Sequence, residues 1–133
     1  MNISQAAAAS GVSAKMIRHY EAIGLVPKPR RSGANYRTYT DADVHMLRFV
    51  RAARDLGFSM AEIGELLDLW RDRRRPSRKV KALVTAHVQE LERRIAELQA
   101  MKGTLEQLAH HCHGDERPEC PILERLEGGG PAR

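Results

Sequence analysis

Apolar residues recur at helical spacing through most of this chain, and the polar residues between them mark where helices start and stop. Val44, Leu47, Val50 and Ala53, then Ile63, Leu66, Leu67 and Trp70, keep helical spacing and predict two core helices. Thr40-Asp-Ala-Asp43 resembles a capping box with Asp in the last place; it opens the first of them, which runs to about Leu56 before Gly57 ends it. Ser59-Met-Ala-Glu62 is a full capping box, and the helix it opens runs to about Asp72. Near the N-terminus, Ser4 is placed to cap a short Ala-rich helix that Gly11 breaks. Ser13 starts another through about Ala22, with Gly24 positioned as its stop. Two short helices around a Gly-containing turn have the outline of a helix-turn-helix, which any small helical hairpin shares.

The segment after Gly24 changes that balance. Pro27 and Pro29 exclude helix, Ser32-Gly-Ala-Asn35 is turn chemistry, and Tyr36-Arg-Thr-Tyr39 has strand propensity. A basic hairpin, or wing, therefore follows the second short helix. Beyond the charged linker Arg71-Asp-Arg-Arg-Arg-Pro76, one helix is expected from about Ser77 to Ala109, since Pro76 can begin a helix but not continue one. Val84, Leu91, Leu98 and Leu105 recur every seven residues along it, flanked by Val88, Ile95, Met101 and Leu108. A small domain cannot bury so long a helix, and a coiled-coil seam in a homodimer explains it more simply than docking on its own N-terminal part. His87 and Arg94 interrupt the companion positions, which favours a short or antiparallel pairing.

Charge adds a partner. Of 133 residues 29% are charged and only 5% aromatic, which suits a mainly helical protein with a modest core. The net charge of +5 is concentrated in residues 1–75, where 13 Lys and Arg stand against 8 Asp and Glu; the remainder balances at 9 against 9. Between Lys15 and Arg37 six cations accompany a single acid, Glu21. Such a patch attracts polyanions in a salt-dependent way. No apolar run approaches the roughly 20 residues of a membrane span. With no signal-peptide pattern and only two cysteines, a reducing cytoplasm is expected.

Those cysteines, Cys112 and Cys120, sit eight residues apart in a polar loop after the long helix. Two thiolates can hold one soft ion; zinc asks for about four ligands, whereas Cu(I) is satisfied by two thiolates in line. Pro121 follows Cys120 and can open a short helix over Ile122–Leu126, whose free N–H groups would steady the net −1 of two thiolates and a monovalent ion. His110, His111 and His113 leave a second reading open, in which imidazoles complete a zinc or other divalent site. A third reading is a Cys112–Cys120 disulfide switch.

Asn2-Ile-Ser4, Ile17-Arg-His-Tyr-Glu21, Gly24-Leu25 and Asn35-Tyr-Arg-Thr-Tyr39 together resemble the N-terminal signature of MerR-type transcriptional regulators. Phe49–Phe58, with Arg54 and Gly57-Phe58, is similar to the helix that follows the wing in that family, and Cys112–Cys120 with Pro121-Ile-Leu-Glu124 resembles its copper-responsive CueR branch. The resemblance implies a mainly α protein: a winged helix-turn-helix DNA-binding domain with hinge (1–75), an antiparallel coiled-coil dimerisation helix (76–110), and a metal-binding loop with a small terminal helix and tail (111–133). It implies a homodimer on a palindromic promoter site, with Cu(I), or Ag(I) and Au(I) as mimics, held by Cys112 and Cys120. DNA distorted by the metal-bound form would then realign promoter elements for RNA polymerase.

The family pattern assigns DNA contact to Lys15, Arg18, Tyr20, Arg31, Tyr36, Arg37 and Arg54. Lys15 and Arg18, at i and i+3 on the recognition helix, can face one groove, and Arg18 can read a guanine edge. Tyr20, Arg31, Tyr36 and Arg37 suit phosphates, which position without reading sequence. Ser77 stands where zinc- and mercury-responsive relatives carry a partner-supplied Cys, and so leans the chain towards +1 ions; it would also serve as a helix N-cap. No phosphate loop, zincin motif or nucleophile elbow supports an enzyme. An iron–sulfur relative would need about four cysteines per cluster, a drug-binding relative a larger C-terminal domain, and a copper chaperone no basic wing.

Overall fold

The first helix, α1 (Ile3–Ser10), begins two residues earlier than Ser4 suggests, because Asn2 is the better cap. Its side chain accepts from the Gln5 N–H while the Gln5 side chain accepts from the Asn2 N–H, both at 2.8 Å. Gly11 closes α1 at φ 77°, and α2 (Ala14–Ala22) follows with Ser13 as N-cap. Gly11 has a second reason to be glycine: a Cβ there would lie 1.8 Å from Nη1 of Arg51. That guanidinium donates to the Gly11 carbonyl at 2.9 Å, and Arg48 donates to the Ala9 carbonyl at 3.0 Å. Two cations thus meet the negative end of α1.

The wing is a two-stranded antiparallel hairpin of β1 (Arg30–Arg31) and β2 (Arg37–Thr38), pairing Arg30 with Thr38 and Arg31 with Arg37. Asn35 turns it at φ 65°, and its N–H donates to the Ser32 carbonyl at 2.8 Å. Next come α3 (Asp41–Asp55), α4 (Met60–Arg71), the 35-residue α5 (Ser77–His111) and α6 (Pro121–Glu127). Both capping boxes form as their residues suggest: Thr40 with Asp43 at 3.1 and 2.9 Å, and Ser59 with Glu62 at 3.1 and 2.8 Å.

This computed structural model describes residues 1–129. They form two compact units, Met1–Val84 and the segment from Thr85 onward. The core of the first unit gathers Ile17, Tyr20, Val50, Ile63 and Leu67, all essentially sealed from solvent, with Leu83 of early α5 packed against the cluster. Val44, Leu47, Ala53 and Leu66 are buried as their spacing predicts. Trp70 is the exception. It remains 42% exposed and stacks on Phe49, ring centroids 4.9 Å apart, so it caps the edge of the α3–α4 packing instead of filling its centre. In the second unit the seam of α5 is open: Val88, Ile95, Leu98, Met101 and Leu105 are all about half exposed or more. Arg93 bridges Glu90 and Glu97 on the same helix, an arrangement of i,i+3 and i,i+4 pairs. Among the described residues no helix is long and apolar enough to cross a membrane.

Candidate nucleic-acid interface and metal loop

Helix α2 divides cleanly. Ile17, Tyr20 and Glu21 are buried, which leaves Lys15 and Arg18 exposed one turn apart on the outer face. Ser13 holds the helix start, accepting from the Met16 N–H at 3.2 Å. On the wing, Arg31 is exposed with Nη1 donating to the Asn35 carbonyl at 3.2 Å, and Tyr36 stands 74% exposed. These four side chains are exposed.

Three other expected DNA-contacting residues are engaged within the chain. Tyr20 is 1% exposed, its ring in the core, and its hydroxyl accepts from Nη1 of Arg54 at 3.1 Å. Arg54, on α3, is exposed yet bonded to that hydroxyl; with Tyr20, Ser13, Met16 and Arg51 it lines a cavity of about 250 Å³. Arg37 is turned inward onto Glu21, Nη1 to Oε1 at 2.6 Å, with its side chain 30% exposed.

Glu21, the single acid among the cations of this stretch, had no site role in the sequence pattern. Its carboxylate is almost completely buried and also accepts from the Tyr39 hydroxyl at 2.8 Å. Hydrogen bonding to Tyr39, and then the Glu21 charge, push the Arg37 guanidinium above its usual range. Burial, then the bond to Glu21, pushes the Tyr39 phenol up. The available signal was compositional: Glu21 is the lone acid within six cations, and a lone acid in a basic stretch has a partner to find.

The second unit holds the cysteines. Cys112 follows α5 directly, its N–H donating to the Leu108 and Ala109 carbonyls, and Cys120 occupies the N-cap position of α6. Between them, Gly114 turns at φ 67° and Asp115 accepts from Arg117, from the backbone N–H at 2.9 Å and from Nε at 2.8 Å. The loop brings the two sulfurs to 4.0 Å, both thiols free and half-buried. A disulfide would need about 2.05 Å. The gap lies between the separations of about 3.8 and about 4.6 Å that two thiolates would span around one ion at ~2.3 Å, tetrahedral or in line.

The Cys120 thiol is held below its ordinary range, chiefly by the Leu123 N–H, with Ile122 N–H and Cys112 adding to the effect against the cost of burial. Those amides act as the positive end of α6 and not as a formed cap bond, for the sulfur makes no capping hydrogen bond. Of the histidines beside the loop, His111 Nδ1 donates to the Gln107 carbonyl at 2.7 Å, and His110 meets the His111 ring edge-on. Among the described residues no three His, Cys, Asp or Glu side chains gather as a metal shell within one chain. Ser77, exposed, is the first residue of α5; the Pro76 carbonyl accepts from the Lys79 N–H at 3.1 Å, so the helix opens one residue ahead of the capping role considered for Ser77.

The MerR HTH family regulatory protein model matches residues 1–70, and the MerR DNA-binding model matches residues 44–108. The chain belongs to the MerR family. It is 59% identical to the HTH-type transcriptional regulator HmrR of Sinorhizobium medicae over 100% of this chain and 91% of that protein. It is 46% identical to CueR of Salmonella typhimurium, over 96% and 93% respectively. The crystal structure of the transcription regulator PbrR691 from Ralstonia metallidurans CH34, in complex with lead(II), superposes with a TM-score of 0.83 at 32% identity, over 95% of this chain and 98% of that one. As a MerR regulator this is a DNA-binding protein and not an enzyme, and MerR regulators bind promoter DNA as dimers. Their shared architecture, a helix-turn-helix with small wing strands and a long helix, is the one described above.

Proposed function

We propose that this protein is a metal-responsive transcriptional regulator of the cytoplasm that activates a promoter when Cu(I), or Ag(I) or Au(I) in its place, is held by Cys112 and Cys120. The observation that carries the reading is the sulfur pair itself: two free thiols 4.0 Å apart, with Cys120 held towards its thiolate form by backbone N–H groups of α6. Two thiolates and one +1 ion leave a net −1, and the positive end of a helix stabilises that charge; a +2 ion would leave none to stabilise. Ser77, with a hydroxyl in place of a thiolate, fits the same preference. Copper is also in keeping with the CueR relatives and heavy-metal response with the similar protein of Rhizobium meliloti called heavy metal-dependent transcription regulator 2, 60% identical over 97% of this chain.

In this reading Lys15 and Arg18 enter the major groove and Arg31 and Tyr36 meet phosphates beside it, while Tyr20, Arg54 and Arg37 hold the surface in shape. Two copies, paired along α5, place two recognition helices on a palindromic site. The bound ion ties the ends of the loop together, and the metal-bound dimer distorts the promoter so that RNA polymerase engages both of its elements. Transcription from the cognate promoter with purified RNA polymerase tests this. Cu(I) is expected to activate the wild-type protein, while Cys112→Ser and Cys120→Ser occupy the operator equally but no longer respond. Copper activation of either variant would remove the loop from the sensing role.

A further inference from the structure

The wing has too little of its own to stand on. Its ladder is two residues per strand, and a two-stranded hairpin is marginal in water without packing against something else. Its exit is pinned at Tyr39, a core ring whose backbone pairs with Met1 at 2.7 and 2.8 Å, and its polar link to the recognition helix is a buried carboxylate. Residues i and i+2 of an extended segment share a face, and Arg37 and Tyr39 both point to α2. Arg37 Nη1 donates to one oxygen of Glu21 at 2.6 Å and the Tyr39 hydroxyl to the other at 2.8 Å. The Glu21 side chain is 3% exposed, so no solvent competes for either bond.

We propose that Glu21 is the positioning residue of the DNA-binding surface: its carboxylate fixes the wing to α2, and thereby sets where the exposed Arg31 and Tyr36 stand relative to Lys15 and Arg18. Arg37 then acts through Glu21 and not as an independent phosphate contact. The inference rests on the reading of α2 and the wing as the DNA-facing elements, but its anchoring step is independent of DNA. Glutamine in place of Glu21 keeps the shape and removes the match. Both partners are donors, and an amide has one acceptor oxygen and an NH₂ that would face a second donor.

Two measurements on the full-length protein test it. In hydrogen exchange of the DNA-free dimer, Glu21→Gln should speed the amides of residues 31–38 by about tenfold or more while α3 is unchanged; unchanged wing exchange overturns the proposal. In operator binding, Glu21→Gln should weaken affinity about tenfold, and Arg31→Gln should cost less in that background than in the wild type. Equal costs of Arg31→Gln in the two backgrounds also overturn it. If Arg31→Gln costs nothing even in the wild-type chain, the DNA-facing reading of the wing fails, and the exchange result alone decides the anchoring. Tyr39→Phe, which deletes one donor and keeps the core ring, is the second variant, with the same direction expected in exchange and a smaller size. It decides the matter if Glu21→Gln does not fold.

Discussion

Replacing Leu98 by alanine should break the dimer without breaking the helix. Leu98 lies in the seven-residue seam of α5 and is 60% exposed in the single chain. Full burial of a leucine side chain is worth about 1.5–3 kcal/mol, so covering the exposed share contributes roughly 1–2 kcal/mol per chain. A two-fold dimer counts the position twice, giving roughly 2–4 kcal/mol, or a dimer dissociation constant raised about 30- to 700-fold. Alanine is the best helix former, so circular dichroism should keep the helical signal of α5. Sedimentation equilibrium across the micromolar range reads the dissociation constant directly. A Leu98→Ala protein that associates as tightly as the wild type would mean that the open seam is not the dimer interface.

Two further outcomes follow from particular residues. Gly11→Ala combines a left-handed backbone at φ 77° with a Cβ set into the Arg51 guanidinium; the strain alone should cost about 1–3 kcal/mol in urea unfolding, and an unchanged midpoint would contradict it. In the reduced, metal-free protein, iodoacetamide should alkylate Cys120 with a pH midpoint below the ordinary thiol value of about 8.5, since the α6 amides favour the thiolate. Because the folded-state value is depressed, the stabilisation it brings is present above the ordinary thiol value and is lost as pH falls through the lowered one. A midpoint at or above that of a free thiol would refute the role given to α6.

Local chemistry made most of the helices legible. Ser13, Thr40 and Ser59 each cap the helix they appear to open, because a side-chain oxygen before a run of unpaired N–H groups has one favourable use. The seam of α5 and the thiol loop were equally visible, as a seven-residue repeat and a pair of cysteines. The start of α1 was not: Asn2 and Ser4 are both good caps, and the reciprocal bond from Gln5 selects Asn2. Trp70 kept perfect periodicity yet stays half in solvent, since spacing reports the face of a helix and not how far the neighbouring element extends over it. Tyr20 and Arg37 illustrate a different limit. A motif groups these residues with a DNA-binding surface, but only the structure shows which side chains are exposed and which are bonded within the chain. Glu21 became readable once its two donors, Arg37 and Tyr39, were found to come from another element, 16 and 18 residues away.

Monovalent-metal sensing by the thiol pair is tested most directly by an anaerobic competition titration of the reduced dimer with Cu(I) against a strong chelator, repeated with Zn(II) and with Cys112→Ser. One Cu(I) should bind tightly per chain, zinc should fail to displace it, and the variant should lose binding. Zinc binding as tight as copper's would bring the histidines into the ligand set and contradict a two-thiolate sensor of monovalent ions. Negligible affinity for both metals would contradict metal sensing and leave a disulfide between Cys112 and Cys120 as the switch.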